Sequence, residues 1–259
     1  MKAKHKAKSK TVQRAFQILE YLKEENGGTL NDLASEFDKP KSTLHRDLTT
    51  LECLRVVKKE GSTYHPGLGF LDFSEHARNR IPGFKLIQDK IEEVAMETEE
   101  RAQFLAESHG KGVYVDRSVG SHGVRTDPTI GQRVYLHATA AGKAVLAELP
   151  SQEANSFIDY YGLPAVTENT ITDRDELFNQ LSDIEDRGYS VDKQECVEKL
   201  HSIGVPVRGP KGDAIGALSV SGPSHRMEGE WFEQELPNIL RGVSNELELN
   251  IKHAADHEL

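Results

Sequence analysis

The sequence has few cysteines and no long apolar run, and each scarcity excludes a class of protein. Its 259 residues contain two cysteines, Cys53 and Cys196, too few for the disulfide framework of a small secreted domain. We expect two reduced thiols, with a disulfide or a redox switch as the alternative. No stretch approaches the roughly 18 consecutive apolar residues of a membrane helix, and no apolar signal core follows the basic start MKAKHKAKSK. A cytoplasmic protein with no membrane partner is predicted.

The motifs that mark common enzyme sites are also missing. The sequence has no G-x-S-x-G, no H-E-x-x-H and no C-x-x-C. TAAGKAV lacks the preceding glycine of a P-loop, and GLGFLD lacks the third glycine of a dinucleotide fingerprint. None of the eleven histidines pairs with cysteine at metal-ligand spacing, although His201 leaves a metal role open. We therefore predict a protein that is not an enzyme, with no catalytic residues, no cofactor and no metal.

Charge is divided unevenly along the chain. Residues 1–70 contain 13 Lys and Arg against 9 Asp and Glu, a net charge of +4. Residues 71–259 contain 19 against 33, a net charge of −14, and the two parts together give the total of −10. Such an asymmetry is typical of a small basic module that meets a polyanion, joined to an acidic body that does not.

Residues 11–70 have the pattern of a winged helix-turn-helix domain. Apolar spacing predicts helices in TVQRAFQILEYL, in TLNDLASEF with Thr29 as N-cap, and in KSTLHRDLTTLEC. RVVKKEGSTYHPG then predicts two strands around Glu60-Gly61. Three helices with a short turn before the third, followed by a hairpin, make up a winged helix-turn-helix. Residues 1–10 are predicted to be a basic disordered arm.

The third helix carries polar residues beside its buried leucines. Ser42 and Thr43 lie in the first turn, where hydroxyls and free backbone N–H groups meet phosphate. Arg46 has the reach to bridge guanine O6 and N7, and His45 and Thr49 have the reach to contact base edges or backbone. An ordinary solvated face is the alternative for any one of them. With the lysines of the wing, the predicted DNA-binding residues are Lys41, Ser42, Thr43, His45, Arg46, Thr49, Lys58 and Lys59.

Residues 71–259 are predicted to form a linker and an α+β domain. A linker helix over 71–85 is interrupted near Ile81-Pro82-Gly83, and residues 86–259 form a sensor-like domain. Strands are predicted in AQFLAES, GVYVDRS, YSVD, SIGVPVRG and AIGALSVSG. Helices are predicted in TAAGKAVLAEL, in SQEANSFIDYYG, in TDRDELFNQLSDIEDRG with Thr172 as the cap, and over about 229–254. An antiparallel sheet with packed helices follows.

Two stretches of this second domain have the chemistry of a binding site. Small residues from Ala138 to Gly142 open a helix, where free backbone N–H groups suit a carboxylate. Close helix–sheet packing is the alternative reason for these small residues. Ser219 and Ser221 alternate on a strand, so both hydroxyls face the same side of the sheet and indicate a polar cavity. Asp192 is a candidate acceptor for a ligand hydroxyl, with a turn or cap as its alternative role.

The chain resembles the IclR family of transcription regulators over nearly its whole length. The resemblance rests on TVQRAFQILEYL, KSTLHRDLTTLECLRVV, LHATAAGKAVLAEL and GYSVDKQECVEKLHSIGVPVRGPKGDAIGALSVSGPSHR. It implies a winged helix-turn-helix, a linker helix and a GAF-like effector domain, acting as a homodimer or dimer of dimers. It also implies a small-molecule effector, such as an organic acid, an aromatic acid or a sugar-related metabolite. The acidic surplus suggests a haloarchaeal member.

The family's effector contacts fall on matching positions of this sequence. They give the effector-binding set Ala140, Ala141, Asp192, Ser202, Ser219 and Ser221. Members that bind glyoxylate or pyruvate have glycine in place of Ala140 and cysteine in place of Ser202, so this chain departs from them at two positions.

The predicted function is a sequence-specific regulator of metabolic genes, a repressor or dual regulator that binds a palindromic operator in double-stranded DNA. Specificity on a symmetric operator needs two modules. Phe84, Ile87 and Ile91 are a candidate dimer contact, with packing inside their own domain as the alternative. The alternative functions are an architectural DNA-binding protein without a ligand, and a metabolite-converting GAF-like module tethered to DNA.

Overall fold

The computed structural model describes residues 8–124 and 129–257, and the chain divides into two compact units at Arg78–Asn79. Within the described ranges, no helix is both long and apolar enough to cross a membrane. Most of the predicted basic arm, residues 1–7, lies outside the described residues. Of its last three residues, Ser9 accepts a hydrogen bond from the Val12 N–H and caps a helix that begins at Lys10.

The first unit is a helical domain with a small antiparallel sheet. Its elements are α1 (Lys10–Glu24), β1 (Gly28–Thr29), α2 (Leu30–Phe37), α3 (Lys41–Cys53), β2 (Val57–Glu60) and β3 (Thr63–Pro66), followed by α4 (Phe70–Asn79). The sheet order is β1-β3-β2. The predicted hairpin is confirmed, while β1 was not predicted because Gly28 was taken only as the end of a helix. Helix–turn–helix and wing share one core, to which α1, α2 and α3 contribute leucines.

Local capping fixes where α2 begins and ends. Thr29 is its N-cap, as predicted, and forms a capping box in which the Thr29 N–H donates to Asp32 Oδ2 at 2.8 Å. Asp38 ends the helix with a left-handed backbone conformation, φ 46°, and Pro40 then precedes α3. The short turn between α2 and α3 is therefore set by the sequence itself.

The second unit is an antiparallel sheet of six strands covered by helices. Its elements are α5 (Phe84–Thr98), β4 (Arg101–Ser108), β5 (Lys111–Val119), β6 (Arg133–Val134), α6 (Ala140–Glu148), α7 (Ser151–Tyr161), α8 (Arg174–Arg187), β7 (Ser190–Lys193), β8 (Leu200–Arg208), β9 (Ala214–Pro223) and α9 (Leu236–His257). A 3-10 turn, Leu136–Ala138, precedes α6, and a π turn, Trp231–Glu235, precedes α9. The strand order is β6-β5-β4-β9-β8-β7. The predicted α+β class is confirmed.

Each face of this sheet has its own apolar core. Residues of α5 and α9 pack on one face, and residues of α6, α7 and α8 pack on the other. Phe84, Ile87 and Ile91 are 4%, 0% and 1% exposed, and Ile87 and Ile91 belong to the first of these cores. The hypothesis that they form a dimer contact is therefore wrong, because their apolar surface is already covered by their own domain.

The break predicted near Ile81-Pro82-Gly83 is confirmed, since α4 ends at Asn79 and α5 begins at Phe84. Pro82 and Gly83, the latter at φ +67°, separate these two helices. The end predicted for the linker at residue 85 falls inside α5, and the predicted cap of α8 also differs. The cap of α8 is Asp173, whose Oδ1 accepts from the Glu176 N–H at 2.9 Å, rather than Thr172. A carboxylate cap at Asp173 also suits the positive end of the helix dipole.

Candidate functional site

Most of the predicted DNA-binding residues are exposed on α3 or on the wing of the first unit. Leu44, Leu48 and Leu51 bury one side of α3. On the rest of α3, Lys41, Ser42, His45, Arg46 and Thr49 are exposed and Thr43 is half-buried. The Thr49 hydroxyl donates to the His45 carbonyl at 2.9 Å, so its proton is already used within the helix.

The wing carries the two remaining lysines of the predicted set on β2. Lys58 and Lys59 are both exposed. Lys58 forms an exposed ion pair with Glu60 at 2.6 Å, and Lys59 Nζ lies 5.2 Å from the centre of the Tyr64 ring. Surface pairs of this kind are weak, so they leave both cations available to a polyanion.

An ion pair that the sequence analysis missed holds α3 in place. Arg14 of α1 donates to both carboxylate oxygens of Asp47, with Nε to Oδ2 at 2.6 Å and Nη2 to Oδ1 at 3.3 Å. Asp47 is 8% exposed and Arg14 is 18% exposed. The sequence contains one indication of this pair: Asp47 lies between the buried Leu44 and Leu48, and a carboxylate on a packed helix face needs a cation as its partner.

The six predicted effector residues come together in one cavity of the second unit. It has a volume of about 340 Å³, with the solvent at its mouth included. Its floor is the sheet face beneath α6, where the register aligns side chains of four strands in rows across the sheet. One row is Asp192, Ser202, Ser221 and Arg101, and the next is Ser190, Gly204, Ser219 and Gln103.

The start of α6 forms one wall of the cavity. Thr139 caps the helix by accepting from the Gly142 N–H at 2.9 Å. The N–H groups of Ala140 and Ala141 belong to the first turn, where no intrahelical acceptor exists for them. Gly204 lets this turn approach the sheet, because a Cβ there would lie 2.7 Å from Ala141 N.

A hydrogen-bond network joins several side chains of the floor, but two buried polar atoms of the floor take no part in it. Ser221 Oγ accepts from Ser202 Oγ at 2.8 Å and from Gln103 Nε2 at 3.0 Å. Gln103 Oε1 and Ser219 Oγ are buried and have no hydrogen-bond partner among the residues that the structure describes. A buried polar atom without a partner costs about 1–3 kcal/mol, so both atoms favour a polar molecule in the cavity.

The far end of the floor is acidic. Burial and then the charge of Glu195 raise the pKa of Asp192 to about 7. Asp192 Oδ1 accepts from the Glu195 N–H at 2.6 Å, so it holds the loop after β7 as well as facing the cavity. Glu195 in turn accepts from Lys143 of α6 at 2.5 and 2.8 Å, and Lys143 is completely buried.

Sequence reasoning missed several residues that line the cavity. They are Arg101, Gln103, Tyr114, Thr139, Cys196, Val197 and Leu200. Two of them could have been identified from the sequence, because Arg101 and Gln103 alternate on a strand just as Ser219 and Ser221 do. Burial and then the charge of Asp192 raise the pKa of the Cys196 thiol to about 12. The thiol is therefore protonated at neutral pH and is a poor nucleophile.

His201, for which a metal role was left open, is a hydrogen-bonding residue in this structure. Its Nδ1 lies 2.9 Å from the Met227 carbonyl oxygen, and its ring packs against Phe232. No group of three potential metal ligands occurs within residues 8–124 and 129–257.

Comparison with known families decides the classification. The model of the IclR helix-turn-helix domain matches residues 11–61. The model described as bacterial transcriptional regulator IclR C-terminal matches residues 78–248. The chain belongs to the IclR family of transcriptional regulators. Its winged helix-turn-helix is the DNA-binding domain of this family, and its second unit is the ligand-binding domain.

Relatives of this IclR-family regulator span nearly the whole chain. The probable HTH-type transcriptional regulator ArcR of Halobacterium salinarum is 32% identical over 248 residues, 94% of each chain, which matches the haloarchaeal prediction. The transcriptional repressor IclR of Escherichia coli is 29% identical and covers 84% of this chain and 81% of its own. The crystal structure of Thermotoga maritima IclR superposes with a TM-score of 0.79 at 26% identity, over 93% of this chain and 98% of that one.

The similar solved structures include complexes with small molecules. One of them is an IclR homologue from Microbacterium hydrocarbonoxydans complexed with 4-hydroxybenzoate, with a TM-score of 0.79 over 94% of this chain and 99% of that one. At 21% identity it shows only that the regulator has the same fold.

Proposed function

We propose that this regulator binds a palindromic operator as a homodimer or dimer of dimers, and that a small organic-acid or sugar-derived effector in the cavity changes its affinity for that operator. The observation that carries the proposal is the cavity itself. Side chains from five strands and the start of α6 surround it, and Gln103 Oε1 and Ser219 Oγ lack partners there among the described residues.

The DNA half of the proposal is supported by the exposed surface of α3 and the wing. Arg46, His45 and Thr49 point away from the leucines that anchor the helix, as side chains that read base edges must. Lys41, Ser42, Thr43, Lys58 and Lys59 are assigned to the phosphate backbone. A single recognition helix contacts only a half-site, which is the reason for proposing two modules on a symmetric operator.

The proposed effector site is supported by which polar groups of the cavity donate hydrogen bonds and which accept them. The Ala140 and Ala141 amides and the Ser219 hydroxyl are donors that suit a carboxylate. Ser202 and Ser221 extend the polar floor, and Asp192 is the acceptor for a ligand hydroxyl. A bound effector moves the DNA-binding equilibrium only through its different affinities for two conformations, with about 1–3 kcal/mol as a typical coupling.

The proposal also includes an absence of catalysis and a cytoplasmic location. The residues that line the cavity include no histidine, and the raised pKa of Cys196 keeps its thiol protonated. Neither an imidazole base nor a cysteine thiolate is therefore present among the residues that line the cavity. Two relatives, IclR and AllR of Escherichia coli, are named repressors, and we propose repression, alone or with activation, for this chain.

The test is the operator affinity of the double variant Ser219→Ala with Ser221→Ala during metabolite titration. Footprinting on the DNA upstream of the gene first defines the operator, and organic and sugar acids (4-hydroxybenzoate, lactate, gluconate and pyruvate) are then titrated. We expect wild-type affinity to change about 5- to 150-fold with an effector. The variant should lose this response and keep its effector-free affinity. A variant that responds like the wild type would move the site elsewhere. A wild type that binds all DNA sequences alike and ignores metabolites would favour the architectural alternative.

A further inference from the structure

The position of Ser219 relative to its neighbours defines what a ligand meets in the cavity. Ser219 of β9 is opposite Gly204 on one side and opposite Gln103 on the other. The first turn of α6 lies against Gly204, and adjacent strands are about 4.8 Å apart. A small molecule above Ser219 therefore touches helix-start amides at one end and the Gln103 side chain at the other.

The two ends of this position differ in hydrogen-bonding character. The α6 amides and the Ser219 hydroxyl donate, so they suit the oxygens of a carboxylate. Gln103 is 2% exposed, its Nε2 is used by Ser221, and its Oε1 has no partner in the part of the chain that the structure describes. That oxygen accepts only, so it needs a ligand O–H or N–H.

We propose that Gln103 makes the cavity selective for acids that carry a hydroxyl beside the carboxylate, and that it rejects the corresponding 2-oxo acids. The carboxylate lies at the α6 start and Ser219, and the hydroxyl on the next carbon donates to Gln103 Oε1. A 2-oxo acid has no hydrogen there and sets its carbonyl oxygen against the amide oxygen. Gln103 is thus a specificity-determining residue. This inference rests on the proposed effector site and adds the class of effector.

The experiment compares pairs of acids that differ only in this group. Lactate and pyruvate, 2-hydroxybutyrate and 2-oxobutyrate, and 2-hydroxyglutarate and 2-oxoglutarate are titrated into the full-length protein by calorimetry. We expect the hydroxy acid to bind at least about tenfold more tightly in every pair that binds, since the oxo acid leaves a buried acceptor unpaired. In Gln103→Met, which keeps the length of the side chain, the ratio should fall to about one.

A matched control makes the same substitution on the other side of the sheet. Gln88 of α5 donates to Asp116 at 2.8 Å and does not line the cavity, so Gln88→Met should keep the wild-type ratio. Thermal melting and effector-free operator affinity check that both variants fold.

Four results would overturn the inference. They are a wild-type ratio near one, a wild-type preference for the oxo acids, a tenfold ratio that survives in Gln103→Met, and no binding by any member of the three pairs. The wild-type results decide even if Gln103→Met fails to fold. The proposed function has its own test, because operator affinity that responds to an unrelated metabolite would leave it standing while the selectivity for hydroxy acids fails.

Discussion

The two units place their polar residues in opposite ways. On α3, the hydroxyls, imidazole and guanidinium point outward from a helix that buries its leucines. In the second unit, the serines and Asp192 point inward, onto a sheet face that lies beneath α6. An outward array suits a large polyanion that stays in solvent, whereas an inward array suits a molecule small enough to be enclosed.

The units resemble each other in how they anchor the functional helix. Arg14–Asp47 ties α3 to α1, and Lys143–Glu195 ties α6 to the loop after β7. The first pair is partly exposed, and Lys143 of the second is completely buried. Removing one partner is expected to cost more in the enclosed site, because an unpaired charge left there is shielded from water.

The largest effect is expected from Lys143→Met. The variant leaves Glu195 buried without its cation, which should lower the free energy of unfolding of the second unit by about 3–5 kcal/mol. Adding Glu195→Leu should restore most of the loss, and Lys252→Met, at an exposed position of α9, should have little effect. Urea unfolding of the full chain measures all three. An unchanged midpoint for Lys143→Met would show that the pair does not anchor α6.

Asp192→Asn should stabilise the protein in a pH-dependent way. The pKa of Asp192 is about 7 in the folded protein and about 3.9 in an unfolded chain. Between pH 4 and pH 7 the unfolded chain releases this proton more readily, so wild-type stability falls as pH rises. The variant is neutral throughout, and its Oδ1 can still accept from the Glu195 N–H.

The expected gain for Asp192→Asn is about 4 kcal/mol at pH 8 and close to zero at pH 4. Unfolding curves at pH 4, 6 and 8 measure it. Asp183→Asn, at an exposed position of α8, is the matched control and should show no such trend. Parallel curves for wild type and Asp192→Asn at all three pH values would contradict the raised pKa.

Arg14→Met should weaken the first unit by about 2–3 kcal/mol, less than the corresponding change at Lys143 because Arg14 is partly exposed. The double variant with Asp47→Leu should regain most of this. Hydrogen exchange of the α3 amides measures the loss locally, together with DNA affinity. If α3 exchange stays at the wild-type rate, Asp47 has no part in positioning the helix.

Arg46→Ala removes one of the exposed polar side chains of α3 without changing the fold. It should cost about 1–3 kcal/mol on the specific operator and relax preference at one base step of each half-site. Lys58→Ala and Lys59→Ala should instead weaken binding to all sequences and flatten the salt slope by about one unit each. Gel-shift titrations on operator and random duplexes separate the two. Equal losses on both duplexes for Arg46→Ala would remove it from base readout.

Local patterns in the sequence predicted much of this architecture. The spacing of Leu44, Leu48 and Leu51 identified α3, and the Glu60-Gly61 turn identified the wing, because both signals lie within a few residues of one another. The alternation of Ser219 and Ser221 identified the polar strand face for the same reason. Ser202 was named only through resemblance to a family, because nothing in its local sequence marks it as a site residue.

The sequence by itself determined which segments are helices and strands, which faces of α3 are apolar or polar, and that a basic module precedes an acidic body. Only the tertiary structure decided which distant residues meet: Gln103 with Ser219, Lys143 with Glu195, Arg14 with Asp47, and Ile87 with the core that α9 shares. The physical reason is the distance along the sequence over which each kind of interaction acts. Helix and turn preferences arise within one or two turns of chain, whereas strand register and the pairing of buried charges depend on residues that folding alone brings together.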